Sequence, residues 1–217
     1  MLKRLRSECV GVSGSGPTST INQTGDNARL VEWIASAYQD IQNLHVNWNF
    51  LRADFTFNTV AAQQTYTPAQ AGASDIGEWE RDSMRCYLTS SGVGGETNIP
   101  LLPWAAFREV YLIGSQRLTS GRPIVVGRKP DRSLMLWPTP EAVYTLNGEY
   151  YRAPDIMVGD GDTPLFPQQW HMIIVWRALV FYGHNQASPE SYAHGQAEYK
   201  RLLAAMGRTE LPEVTWG

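Results

Sequence analysis

Four carboxylates, Asp75, Glu78, Glu80 and Asp82, crowd one short stretch of the chain. At strand spacing Glu78, Glu80 and Asp82 share one face, and paired carboxyl groups are the equipment of glycoside hydrolysis. Nothing else in the chain supports that chemistry, so a solvated strand face or an interface rim is the expected role. Asp155, Asp160 and Asp162 form a second acidic stretch, in which Asp160-Gly161-Asp162 has a faint likeness to a calcium loop. The spaced ligands and terminal glutamate of an EF-hand are missing, and a turn and helix-cap role is expected. His184 and His194 lack the close i, i+4 spacing of a helical metal pair; with His171 they are expected to pack and to hydrogen-bond. Gly92-Val93-Gly94-Gly95 has no following Lys-Ser/Thr, so it is a loop and not a phosphate cradle. No G-x-S-x-G or H-E-x-x-H occurs. The expectation is a protein with no catalytic residues, no cofactor and no metal, and hence not an enzyme.

The remaining chemistry points outward. Arg117, Arg122, Arg128, Lys129 and Arg132 stand close together against one acid, Asp131. Such a cluster can meet phosphates or an acidic protein surface; the plainer reading is a set of exposed hairpin tips. Eight Trp and ten Tyr are many for this length, and aromatic residues both fill cores and anchor interfaces. Leu211, Val214 and Trp216 set apolar groups along an otherwise polar C-terminal stretch, and Trp216 is a candidate anchor in a partner's pocket. The tyrosines of Tyr144–Tyr151 offer an alternative, a stacking platform for a small ligand or glycan.

The whole chain sets the bounds. It has 217 residues, 43% of them hydrophobic, with a net charge of −3. A chain of this size buries about 70% of its unfolded surface, enough for a real core. The mildly acidic balance argues against a protein whose main task is gripping DNA. Cys9 and Cys86 are too few for a disulfide framework or a zinc site and suit a reducing compartment. The first ten residues lack the apolar region of a secretory signal, and Met172–Tyr182 is too short to span a bilayer and holds Arg177. No membrane partner is expected.

Periodicity places the elements. Leu2–Val10 reads as a short helix, and Gly11–Gly25 as a polar loop that is flexible unless a partner orders it. Leu30, Ile34, Ala37, Ile41 and Leu44 form one helical stripe, capped by Thr24 or Asp26. Ala53, Phe55 and Phe57 then alternate as a strand, with Thr65–Thr67 as its returning partner. Met84, Cys86 and Leu88 alternate again, and Pro103 opens a short helix stopped by Gly114. Strands follow near 123–127, 133–137 and 144–152, with a hairpin tip at Lys129–Ser133. His171–His184 is apolar nearly all round, which implies burial. Ser188-Pro189-Glu190 starts a last helix, with Tyr192, Tyr199, Leu202, Leu203 and Met206 inward and Gly207 as its stop. The fold class is therefore α+β: terminal helices packed as a bundle around a β-rich middle. Residues 1–46 and 160–207 are assigned to the bundle and 47–159 to the β-rich domain with one short helix near 103–114. Residues 208–217 are assigned to an extended tail.

Several stretches, taken in order, carry a resemblance. They are Trp48-Asn49-Phe50-Leu51-Arg52; Leu102-Pro103-Trp104 with Phe107-Arg108 and Tyr111; and Leu136-Trp137-Pro138-Thr139-Pro140 before Tyr144-Thr145-Leu146. Glu149-Tyr150-Tyr151-Arg152-Ala153-Pro154 and Asp162-Thr163-Pro164-Leu165-Phe166-Pro167 follow, the latter entering His171-Met172-Ile173-Ile174. From about residue 26 to 206 the chain resembles the head-to-tail adaptor proteins of tailed bacteriophages. That resemblance implies a structural virion protein with no catalytic residues, assembled in the host cytoplasm. It implies a ring, of twelve copies to match the portal, with the portal protein above and a tail tube or nozzle protein below. DNA then passes through the bore without sequence-specific binding. On this reading the apolar His171–His184 helix and the surplus Trp and Tyr supply buried contacts between subunits.

Overall fold

The computed structural model describes residues 1–9 and 19–213. The helices in chain order are α1 (Leu2–Glu8), α2 (Gly25–Asn43), α3 (Trp104–Tyr111), α4 (Met172–Asn185) and α5 (Pro189–Glu210). The strands are β1 (Arg52–Asn58), β2 (Thr65–Tyr66), β3 (Ile76–Trp79), β4 (Arg85–Leu88), β5 (Thr97–Asn98) and β6 (Leu101–Pro103). After α3 come β7 (Ser120–Gly121), β8 (Val125–Arg128), β9 (Leu134–Trp137), β10 (Thr139–Pro140) and β11 (Tyr144–Arg152). The fold class is α+β. The chain divides into two compact units, Met1–Leu51 with Pro154–Gly217, and Arg52–Ala153. Most of the expected Gly11–Gly25 loop, and Val10, lie outside the described residues.

The helical unit is organised around α4. Ile173, Ile174, Val175, Trp176, Ala178, Leu179, Val180, Tyr182 and Gly183 are all buried, because α1, α2 and α5 pack against it from different sides. Burying each such large aliphatic or aromatic side chain stabilises by about 1.5–3 kcal/mol. Most of the apolar surface of this helix is therefore consumed inside the unit. The α2 stripe faces inward as its spacing requires, with Leu30, Ile34, Ala37, Tyr38 and Ile41 buried. Thr24 occupies the N-cap, but its side chain makes no capping bond, and Asp26 lies in the first turn. Two glycines let α4 and α5 approach closely. A Cβ on Gly183 would stand 2.5 Å from the Tyr192 backbone nitrogen, and one on Gly195 would stand 3.1 Å from the Trp176 carbonyl oxygen.

Helix α5 starts where expected, with Ser188 at the N-cap and Pro189 first in the helix. It does not stop at Gly207. That residue is helical, and the helix continues to Glu210. Chain direction changes instead at Leu211, which is extended (φ −96°, ψ 146°) because Pro212 disfavours helical backbone in the residue before it. Tyr192 is also displaced from its expected place inside: its backbone meets Gly183 and its side chain is 42% exposed.

The β unit has two main sheets. One has the order β1-β11-β4-β5, with β3 also paired to β11; the other is β2-β9-β8-β6. A short parallel pair joins β10 to β7. Strand β11 is paired along both edges, to β1 on one side and to β3 and β4 on the other. Phe55, Phe57, Trp79, Met84, Cys86, Leu134, Leu136, Tyr144, Leu146 and Tyr150 belong to the core of this unit. The hairpin at Lys129–Ser133 joins antiparallel β8 and β9. The segment at Thr65 is a strand, but it pairs with β9 and not with β1. The Tyr66 hydroxyl, bonded to the Val60 amide and to the Val60 and Gln63 carbonyls, folds the intervening turn so that the strand leaves the first sheet. Helix α3 has Pro103 as its N-cap residue and ends at Tyr111, before the expected stop at Gly114 (φ +56°).

Candidate functional site

The acidic cluster splits: Asp75 and Glu78 are paired with arginines, while Glu80 and Asp82 line one cleft. Strand β3 ends at Trp79, so Glu78, Glu80 and Asp82 do not share one strand face. Asp75 accepts a 2.7 Å bond from the Tyr150 hydroxyl and pairs with Arg152 at 3.3 Å. Glu78 pairs with Arg128, and Glu80 accepts a bond from the Arg81 amide at 3.0 Å. Asp82 lines a polar cleft of about 510 Å³ over Phe55 and Gly148, with Arg52, Asp54, Arg85 and Glu149 around it. Charges of both signs meet in that cleft, and Arg52 is paired with Glu149. With Glu80 also on its wall, the cleft holds Asp54, Glu80, Asp82 and Glu149 against two guanidiniums and is acidic on balance.

The basic residues divide. Arg128, Lys129 and Arg132 come together at the β8–β9 hairpin, with Arg132 in left-handed backbone (φ +64°). Arg132 donates to the Ile76 carbonyl at 2.8 Å, while the Trp79 indole donates to the Arg132 carbonyl at 2.8 Å. Arg122 lies elsewhere in the unit. Its Nη2 donates to the Cys86 and Gly95 carbonyls and to Thr97 Oγ1, at 2.8–2.9 Å, tying the loop before β5 to β4. Arg117 donates to the Leu112 carbonyl at 3.0 Å. Four of the five cations thus serve as crosslinks of their own unit, a use that a count of charges along the chain does not reveal.

The thiols are protected. Burial pushes Cys9 up to about 12 and Cys86 up to about 11, the latter against the opposing pull of Arg122. Both remain protonated and unreactive near neutrality. His171 Nε2 lies 3.1 Å from the Phe166 carbonyl oxygen, and His194 meets the Trp176 ring edge-on at 5.1 Å. Among the described residues, no group of three or more His, Cys, Asp or Glu is placed to hold a metal ion.

Asp160 and Asp162 build a clasp. Asp162 accepts 2.7 Å bonds from the Val158 and Gly159 amides and shapes the turn. Asp160 accepts bonds from Ser19 and Thr20, fixing this loop to the chain just before α2. These hydrogen bonds hold both carboxyls below the usual carboxylate range. Gln42, buried in α2, braces the same connection by donating to the Asp155 carbonyl and accepting from its amide at 3.0 Å.

The tyrosines of β11 are no ligand platform. Tyr144 and Tyr150 belong to the core of the β unit, Tyr151 lies on the opposite face of the strand, and all three are 4–5% exposed. Of the apolar tail residues, Leu211 is half-buried after α5; Val214 and Trp216 lie outside the described residues.

Two surfaces escaped notice in the sequence. The first is an arm made of α3 and the 3-10 turn Gly114–Leu118. Phe107 seats it on Gly127, where a Cβ would stand 2.4 Å from the ring, and Tyr111 packs at a tilt against Trp137, ring centres 4.6 Å apart. Its other side bares Val110, Ile113 and Leu118, which are 58%, 62% and 83% exposed. The second surface is a groove of about 430 Å³ in the helical unit, lined by Trp33, Ser36, Val180, Phe181, His184 and Tyr192. Its lining comes from three helices, so no single periodic stretch announces it.

A family model described as SU10 adaptor protein matches residues 11–215. No curated protein matches the chain.

Proposed function

The chain belongs to the SU10 adaptor protein family of phage head-tail adaptors, and from that premise we propose that it forms the ring joining the portal of a tailed phage to its tail. The observation that carries the proposal is the family match, which extends over nearly the whole chain, residues 11–215. On this reading twelve copies close around the portal axis, a tail tube or nozzle protein docks below, and DNA passes through the bore. The protein assembles in the host cytoplasm and stays in the virion.

The physical features support this role. Both units bury apolar cores, and much of the basic cluster is spent on bonds within the β unit, which suits a structural part. The net charge of −3 suits a conduit, since a strongly cationic lining retains phosphates by counterion release. The C-terminal segment beyond α5, with Leu211, Val214 and Trp216, is assigned to docking on the portal or a neighbouring subunit. The basic residues Arg117, Arg122, Arg128, Lys129 and Arg132 are assigned in the first place to bracing the β unit, with the Lys129 hairpin tip as the part that meets an acidic partner.

The test is assembly. The purified chain is mixed with the portal protein of the same phage, and the complex is measured by native mass spectrometry and electron microscopy. A ring of twelve copies attached to one portal is expected. A chain that ignores the portal, or that turns over a glycan in a manner lost on Glu78→Ala, overturns the proposal.

A further inference from the structure

A closed ring needs two different complementary surfaces on every subunit, because its contacts are head-to-tail. The inference that follows therefore rests on the ring reading. We propose that the α3 arm of one subunit inserts into the Trp33–Phe181–Tyr192 groove of the next.

Three observations converge on a second copy of this chain as the occupant. The arm is apolar where it has no partner: Val110, Ile113 and Leu118 are among its most exposed residues, on a segment held firmly by Phe107 and by the Trp137 indole bond to the Gln116 carbonyl (2.8 Å). An exposed apolar edge held in place by such contacts loses little conformational entropy on docking. The groove is concave and aromatic, the setting in which interface anchors concentrate. Trp33 is braced edge-on by Tyr182 at 5.8 Å, so one wall is fixed before any partner arrives.

Charge matches as well. The arm carries Arg108 and Arg117 against Glu109, a surplus of one positive charge. The groove's own helices carry Glu32, one turn before Ser36, and Glu190, in the first turn of α5. All five side chains belong to exposed residues, and none forms an ion pair with another described residue. Complementary charges at an interface rim set register and accelerate encounter.

The test uses the full chain with single exposed residues changed. Cys9 and Cys86 are buried and stay in place. In the double variant Leu118→Cys/Ser36→Cys, a short bis-maleimide is expected to give a ladder of covalent multimers on assembled particles. A mixture of the two single variants is expected to give covalent dimers only, because each partner offers one half of the contact. Leu118→Asp is expected to weaken self-association by about tenfold or more while leaving the melting transition unchanged, since that side chain is 83% exposed. Rings of full mass that give no ladder overturn this contact and leave the ring reading standing. So does a crosslink confined within one chain, or a Leu118→Asp variant that assembles normally but no longer binds the tail protein. Absence of any ring, with or without portal, overturns the ring reading and this contact together.

Discussion

Replacing Gly183 with Ala is expected to destabilise the helical unit, although alanine is the better helix former. The new Cβ would stand 2.5 Å from the Tyr192 nitrogen and 2.7 Å from its Cα. Ordinary contact begins near 3.4 Å, so α5 must retreat by about 0.9 Å. The obstacle is backbone, which cannot rotate aside as a long side chain does. The end of α4 cannot yield easily either, because the Gly183 carbonyl accepts the Ser188 amide at 2.9 Å. Overpacking of this kind costs about 1–3 kcal/mol or more, set against a helix-propensity gain of about 1 kcal/mol. A net loss of about 2 kcal/mol is expected for Gly183→Ala. At Gly195 the nearest atom is 3.1 Å away, and the loss should fall between zero and about 1 kcal/mol. At Gly207 a Cβ meets only Leu211 Cδ1, at 3.8 Å, so the propensity gain of about 0.5–1 kcal/mol should survive. Urea denaturation followed by helical circular dichroism measures all three, since four of the five helices belong to this unit. A Gly183→Ala protein as stable as Gly207→Ala refutes the close crossing of α4 and α5.

Phe107→Ala removes the fully buried side chain that seats α3 over Gly127 and should cost the β unit about 3–5 kcal/mol; hydrogen exchange along residues 104–118 should rise sharply while that of the helical unit is unchanged. The Asp160 and Asp162 carboxyls are held below their unfolded values, so their contribution is present above about pH 4 and is lost as pH falls through the still lower folded pKa. Amide exchange at residues 156–162 should therefore accelerate on acidification, and Asp160→Asn should leave the segment open at neutral pH. Truncation after Glu210 should leave the melting temperature nearly unchanged, since α5 is complete at that residue, but weaken attachment to the portal in a pull-down.

Much of the scaffold was legible because each element announces its own period. The α2 stripe, the alternation of Phe55 with Phe57 and the Ser188-Pro189 start depend on neighbours in sequence, and the structure has them where they were expected, except that Leu44, the last of the stripe, lies past the helix and is exposed. The errors arise where distant residues decide. Gly207 reads as a stop, yet nothing there forces left-handed backbone, and the turn belongs to Leu211 before Pro212. Tyr144–Tyr151 reads as an aromatic face, but Tyr144 and Tyr150 are taken up by a core built from distant strands. The arginine cluster reads as a patch because sequence shows charge and not the carbonyls that Arg122 and Arg132 find across the fold. Helix α4 was rightly expected to be buried; what sequence did not show is that its own unit provides the cover.

The central claim is that this chain is a ring-forming connector on a phage portal. The most direct measurement is the native mass of the complex formed with the portal protein of the same phage. The account predicts one portal assembly bearing twelve copies of the chain, with the chain also present in purified virions. A chain that stays monomeric beside intact portals and is absent from virions contradicts it.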